Sequence, residues 1–218
     1  MKLFKEIVYN TPIRGYFFPR YTYFFTAAQL CFLCQCINGT KDVKGAIAEV
    51  GCACGATTLF LNNYMDAQNI EKKYYAIYSF FGFVASDIEY EVANRGKTKN
   101  LFTAFRMNKK KWFDDTMKQG NVNRVFSIKA DVNQYDLLTL GPLSFVLLDV
   151  DLYRPTKKSI RELYKILNPG GMLIVDDCDS QNIRWDGADQ AYKEFMKEIG
   201  QPIHIVYGKL GIIKKASI

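Results

Sequence analysis

The chain has 218 residues, with 29 Lys and Arg against 22 Asp and Glu for a formal net charge of +7, and it is 49% hydrophobic and 23% charged. That length suits one domain able to bury roughly 70% of its extended surface, and the balance excludes a disordered or fibrous chain. No run nears the ~18 uninterrupted apolar residues of a membrane span. The opening MKLFKEIVYNTPIRGYFFPR is broken by Lys5, Glu6, Arg14 and Arg20, unlike a secretory signal, so a cytoplasmic protein is expected.

In chain order, N-terminal helices over 1–44 precede an alternation of strands and helices over 45–218. TAAQLCFLCQCIN is apolar nearly all round and reads as a buried helix. Its CxxC, Cys31 and Cys34, has no second CxxC or His pair after it, so a core role outweighs metal or redox chemistry, and disulfides are not expected. A first strand, Ala46 to Val50, ends in glycines, and the next helix is expected to turn Leu59, Phe60, Tyr64 and Met65 towards the sheet. Strands at about Tyr74 to Phe80 and Arg124 to Ala130 flank a connection of roughly forty residues, a length that is often functional. Within it a helix is predicted from Lys109 to Lys118, with Asn108 as N-cap.

The run LSFVLLD, Leu143 to Asp149, is continuously apolar and then acidic, as in a central strand whose carboxyl end opens into a site. A helix follows, capped by Thr156, striped by Ile160, Leu163, Tyr164 and Leu167, and stopped by Asn168, Pro169, Gly170 and Gly171. MLIVDD repeats the apolar-then-acidic pattern. Ala188, Ala191, Tyr192, Phe195 and Ile199 mark another amphipathic helix, and IHIVYG and LGIIKK form an antiparallel hairpin through Gly208 and Lys209. The alternation predicts an α/β domain with a mostly parallel sheet covered on both faces.

Two features carry chemistry. The loop Glu49-Val50-Gly51-Cys52-Ala53-Cys54-Gly55 leaves a strand and opens a helix, which lets backbone approach a ligand. Its spacing is GxxxG, and Glu49 suits a ligand bearing an ammonium or sulfonium group, as a pyrophosphate would not. Asp149 and Asp151 end one strand and Asp176 and Asp177 the next. Neighbouring strand ends lie ~4.8 Å apart, so these acids converge, repel, and call for a cation. Oxygen-only ligands suit Mg²⁺. The positive charge raises nucleic acid as a partner. Lys109 to Lys111 and Lys214 with Lys215 hold much of the excess, however, and the aromatic residues are not interleaved with them, so a solvated surface is expected. His204, in an apolar strand, reads as structural.

With these motifs the chain resembles the class I S-adenosylmethionine-dependent methyltransferases. LLDVDLYRPTKKSIRELYKILNPGGMLIVDDCD narrows the likeness to the macrocin O-methyltransferase family, and AIYSFFGF is similar to its second-strand signature Asp-Ser-Phe-x-Gly. The resemblance spans from about Gly45 to the C-terminus. It implies a Rossmann-like, doubly wound, mostly parallel seven-stranded sheet with an antiparallel C-terminal hairpin, an N-terminal helical cap over 1–44 and a core over 45–218. It implies methyl transfer to a hydroxyl of a small molecule, a sugar or phenolic hydroxyl of a secondary metabolite, with S-adenosyl-L-methionine and Mg²⁺. Carried over residue by residue, Asp149, Asp176 and Asp177 bind the metal, and Asp149 or Asp151 takes the proton. Glu49, Gly51, Cys52 and Gly55 meet the methionine part of the cofactor, with Thr57 or Thr58 capping the loop. Tyr78, Ser79 and Phe80 flank ribose and adenine, and Asp149 borders the cofactor as well. Asp131 faces the adenine, caps the short helix VNQYDLL, or both. Trp185 and Asp186 are candidates for the acceptor side, and a homo-oligomer is compatible with the chain.

One position departs from that pattern. Tyr78 stands where the family has the aspartate that accepts ribose hydroxyls, and Glu71 and Asp87 lie too far along the chain to be read as replacements. Either Ser79 and backbone groups hold the ribose, or cofactor affinity is weakened, or the chain is a methyltransferase-like binding protein. A nicotinamide-dependent dehydrogenase would need GxGxxG, and a nucleic-acid methyltransferase would bind RNA with steep salt dependence.

Overall fold

The computed structural model describes residues 7, 11, 23–102 and 108–216. Apart from positions 7 and 11, the expected helices of 1–22 lie outside the described residues. Among the described residues, seven strands form one sheet: β1 (Ala46–Val50), β2 (Tyr74–Tyr78), β3 (Val125–Lys129), β4 (Leu143–Leu148), β5 (Leu167–Val175), β6 (Ile205–Val206) and β7 (Leu210–Lys214). Their order is β3-β2-β1-β4-β5-β7-β6. All pairings are parallel except those of β7, which runs antiparallel to both β5 and β6. This is the predicted sheet with its predicted hairpin. β1 pairs with β2 on one side and β4 on the other. The chain therefore winds outward in both directions from the β1/β4 boundary, the switch point where open α/β sheets place ligands.

The helices are α1 (Ala27–Gly39), α2 (Ala56–Ala67), α3 (Ala85–Arg95), α4 (Lys110–Gln119), α5 (Tyr153–Ile166) and α6 (Asp186–Glu198). β4 is buried along its whole length because both its faces are covered. Phe145 and Leu147 point to the face holding Leu33 and Ile37 of α1 with Leu61 and Met65 of α2. Val146 and Leu148 point to the face holding Ile160 and Leu163 of α5 with Tyr192 and Phe195 of α6. α1 starts with a capping box in which the Thr26 hydroxyl accepts from Gln29 N–H and the Gln29 side chain accepts from Thr26 N–H. Among the described residues no helix is long and apolar enough to cross a membrane.

Several local expectations need correction. Cys34 and Cys36 are buried, but Cys31 of the CxxC is exposed. The face that α2 buries is Thr57, Thr58, Leu61, Asn62 and Met65 rather than one through Leu59, Phe60 and Tyr64. α4 begins at Lys110; the Asn108 side chain accepts from the adjacent Lys109 N–H, and no side chain caps the helix. Thr156 lies inside α5, donating to the Leu152 carbonyl, and the helix begins at Tyr153. The last position of the expected stripe, Leu167, is already extended: the helix ends at Ile166, and β5 runs from Leu167 through Asn168, Pro169 and the two glycines.

The roughly forty-residue connection holds a helix the apolar pattern does not announce. α3 buries Asp87 and Glu91, two carboxylates, towards the protein. Glu91 Oε1 accepts from Tyr153 N–H at 2.8 Å, so α3 satisfies the first turn of α5, whose own N-cap, Leu152, has no side-chain hydrogen bond. Arg95, one turn along α3, pairs with Glu91 at 2.8 Å.

Candidate active site

The carboxyl ends of β1, β2, β4 and β5 meet at the switch point. Gly51 has φ 108°, and a Cβ there would lie 1.6 Å from the Asp149 carbonyl oxygen. Only glycine allows the loop after β1 to pass so close to the loop after β4. Gly55, at φ 87°, would place a Cβ 2.9 Å from Phe113 and Met117 of α4. Both glycines of the GxxxG loop are thus demanded by protein neighbours, whatever ligand the loop meets. Gly55 is itself the N-cap of α2, without a side-chain hydrogen bond, which corrects the expectation that Thr57 or Thr58 caps the loop.

Glu49 is buried beneath this loop. Its Oε2 accepts from the Thr58 hydroxyl at 2.6 Å and the Tyr74 hydroxyl at 2.7 Å. Burial pushes its carboxyl up to about 7, against the pull of those two bonds. Glu49, Gly51, Cys52, Thr57 and Asp149 line a recess closed by Phe24 and Phe25. Cys52 also packs against Phe80 and Phe113 in a small cluster under the loop.

A cleft lies across the ends of β2, β3 and β4. Gly51, Tyr78, Ser79, Asp87, Asp131 and Asp151 line it together with Ile77, Val132, Leu152 and Pro155. Ser79 Oγ donates to the Gly82 carbonyl at 2.6 Å, so its proton is committed to the turn after β2. Phe80 is 3% exposed, and its ring meets those of Tyr78 and Phe113 at 5.5 and 5.7 Å. It faces the cluster under the glycine loop. Asp131 Oδ1 accepts from Asn133 N–H at 2.9 Å, closing a turn; the short helix that follows, Leu137–Leu140, is capped by Asp136 instead.

A second cleft, about 740 Å³, shares Gly51, Tyr78 and Asp151 with the first and is walled by Asp149, Asp176, Asp177, Trp185 and Lys209. Carboxylate oxygens of Asp149, Asp151 and Asp177 lie within 4.8 Å of one another. The set expected from sequence was Asp149, Asp176 and Asp177; the geometry puts Asp151 in that group. Asp176 Oδ2 instead accepts from Lys209 Nζ at 2.6 Å, with Asp177 Oδ1 3.6 Å from the same ammonium. Asp151 and Asp177 hold left-handed backbone, φ 59° and 56°, a strained conformation that collects at functional sites. Burial, then the charges of its neighbours, pushes the carboxyls of Asp149, Asp151 and Asp176 up; Lys209 is pushed up by the acids around it, against its own desolvation.

The residues fit a hard divalent cation. Four carboxylates face one ammonium, all donors are oxygen, and among the described residues Asp176 Oδ1 is buried without a hydrogen-bond partner. Trp185 lines this cleft, but Asp186 does not: it pairs with Arg95 and Lys97, both at 2.8 Å, and ties α6 to α3. His204 is exposed one residue before β6, and its backbone carbonyl accepts from the Tyr192 hydroxyl. Sequence reasoning missed Lys209, placed by the pairing of β5 with β7, and Asp87, placed by α3.

A family model described as Macrocin-O-methyltransferase (TylF) matches residues 18–209. No curated protein matches the sequence. Among solved structures, the O-methyltransferase NovP is similar with a TM-score of 0.71 at 15% identity, over 86% of this chain and 79% of that one. CalS11, a calicheamicin methyltransferase, gives 0.69 at 17% identity over 98% and 90%. SMU.1697c of Streptococcus mutans, solved with SAH, gives 0.54 at 16% identity over 86% and 96%. At these identities the structural likenesses speak to the fold.

Proposed function

The chain belongs to the macrocin O-methyltransferase family and is an enzyme that transfers methyl groups; from that premise we propose that it carries the methyl of S-adenosylmethionine to a sugar or phenolic hydroxyl of a secondary metabolite, assisted by Mg²⁺. The observation that carries this reading is the junction of the two clefts at Gly51, Tyr78 and Asp151. A nucleoside held in the first cleft, with its methionine part towards Glu49, presents its sulfur beside the acids of the second.

The chemistry asks the chain for alignment and for a proton acceptor, because a sulfonium methyl is already activated. As the acceptor oxygen bonds to the methyl carbon, the carbon–sulfur bond breaks and the hydroxyl proton must leave. Asp151, lining both clefts, is the group placed to take it. Its burial, and then the negative charge of Asp177, raise its affinity for a proton. Asp149 and Asp177, whose carboxylate oxygens lie within 4.8 Å of each other and of Asp151, would hold Mg²⁺, whose charge makes a neighbouring hydroxyl easier to deprotonate. Tyr78, pushed up by burial and by Asp151, stays a neutral phenol between the two clefts. A wall of four carboxylates favours an uncharged acceptor over a phosphate chain, which argues against nucleic acid despite the net charge of +7.

Calorimetric titration with S-adenosylhomocysteine tests the reading first. The expected result is binding with heat and, in a separate assay with S-adenosylmethionine as donor, methyl transfer to a sugar or phenol panel that stops on chelation. No binding of the nucleoside would sink the proposal.

A further inference from the structure

We propose that Asp87 recognises the adenosine part of the donor, accepting a hydrogen bond on Oδ1 from a ribose hydroxyl or the exocyclic amine, the work the family's second-strand acid does where this chain has Tyr78. The inference rests on the functional reading above and names a residue for its nucleoside cleft. Read along the chain, Asp87 is too distant to replace that acid. In space, the turn closed by Ser79 and Gly82 and the start of α3 fold it back into the cleft that Tyr78 lines.

Asp87 is 3% exposed, and its two oxygens are treated differently. Oδ2 accepts from Asn133 Nδ2 at 2.7 Å, a residue whose own N–H is held by Asp131. Oδ1 is buried and, among the described residues, has no hydrogen-bond partner. The Arg154 guanidinium stands 3.8 Å away, beyond hydrogen-bonding length, on a side chain that is 43% exposed and lies over the Tyr90 ring. A buried carboxylate oxygen without a donor is costly, and proteins seldom keep one without a use. Burial pushes the Asp87 carboxyl up to about 6, with the Arg154 charge opposing, so at neutral pH it is largely an anion seeking a donor. The nucleoside supplies such donors, two hydroxyls and an amine. The other side chains of this wall are already engaged: the Ser79 proton goes to Gly82, and one Asp131 oxygen holds the turn.

The test is titration of S-adenosylhomocysteine into wild type, Asp87→Asn and Asp87→Ala, with thermal melting of each protein without ligand. Wild type is expected to bind, and both variants to bind about tenfold or more weakly. Asp87→Asn should melt no lower than wild type, because the exchange removes a buried charge and keeps an acceptor for Asn133. A variant that binds as tightly as wild type overturns this inference alone. A wild type that binds nothing overturns it together with the functional reading. Analogues separate the two donors. If Oδ1 meets the amine, wild type disfavours S-inosylhomocysteine, and Asp87→Asn, whose amide can donate to the inosine carbonyl, narrows the gap. If Oδ1 meets a hydroxyl, the gap appears with 2′- or 3′-deoxy analogues and closes in Asp87→Asn. Discrimination that is the same in wild type and variant for every analogue contradicts the assignment.

Discussion

The two clefts that meet at Gly51 obtain their polar groups in different ways. The acid cleft draws Asp149, Asp151, Asp176 and Asp177 from the ends of two paired strands, so the sheet itself sets their spacing. The cleft across β2, β3 and β4 draws Ser79, Asp87 and Asp131 from turns and from the first turn of α3, and their hydrogen bonds to Gly82 and Asn133 hold them in place. The first arrangement concentrates like charge around the Lys209 ammonium; the second is largely satisfied from within, with Asp87 Oδ1 unpaired among the described residues. Paired strand ends therefore gather like charge by register, while turns and the start of a helix place the polar groups of the other cleft.

Asp151 borders both clefts, and Asp151→Asn is the largest expected perturbation. The single-turnover methyl-transfer rate should fall by about 10² to 10⁴, with S-adenosylhomocysteine affinity nearly unchanged. If affinity falls as steeply as rate, Asp151 belongs to nucleoside recognition, and the division between the clefts breaks down. Lys209→Met probes the acid side alone. It leaves Asp176 buried without its ammonium, so the melting temperature should drop by the equivalent of about 3 kcal/mol. Added Mg²⁺ should then raise the melting temperature of the variant more than that of wild type. An equal Mg²⁺ response in both would mean that the acids do not share a cation with Lys209.

The same contrast explains what the sequence made legible. β4 and β5 stand out because their apolar runs, buried on both faces, end abruptly in aspartates. α3 has no apolar stripe, since the residues it buries are Asp87 and Glu91, and a pattern of carboxylates looks like a solvated surface. Thr156 imitates a cap because a threonine before an apolar stripe is the usual signal, yet the donor of Tyr153 is satisfied from α3, across the fold. Lys209 reaches Asp176 only through the register that sets Val175 opposite Gly211, and no local pattern encodes a register between strands so far apart in the chain. The carboxylates were therefore readable as a group, while the choice of Asp151 over Asp176 for the cluster depended on a lysine from the hairpin.

Glu49→Gln offers the smallest effect and tests the recess next to both clefts. The buried Glu49 carboxyl has a value of about 7 when folded against an ordinary 4.5, so the folded chain holds the proton more tightly than the unfolded one. Its contribution is fully favourable below about 4.5, fades as pH rises towards 7, and is lost above that. The difference in stability between wild type and Glu49→Gln should thus shift in favour of the variant between those limits, by up to about 3 kcal/mol. Subtracting one pH profile from the other removes the titration of the four aspartates, which both proteins share. The glutamine carbonyl can still accept from Thr58 and Tyr74, so the fold around it should survive. What it cannot supply is negative charge for a sulfonium or ammonium group. Glu49→Gln is therefore expected to be the more stable protein at pH 8 and the weaker binder of S-adenosylmethionine. A variant that gains stability and keeps full affinity would show that the recess serves the fold and leaves the donor to the two clefts.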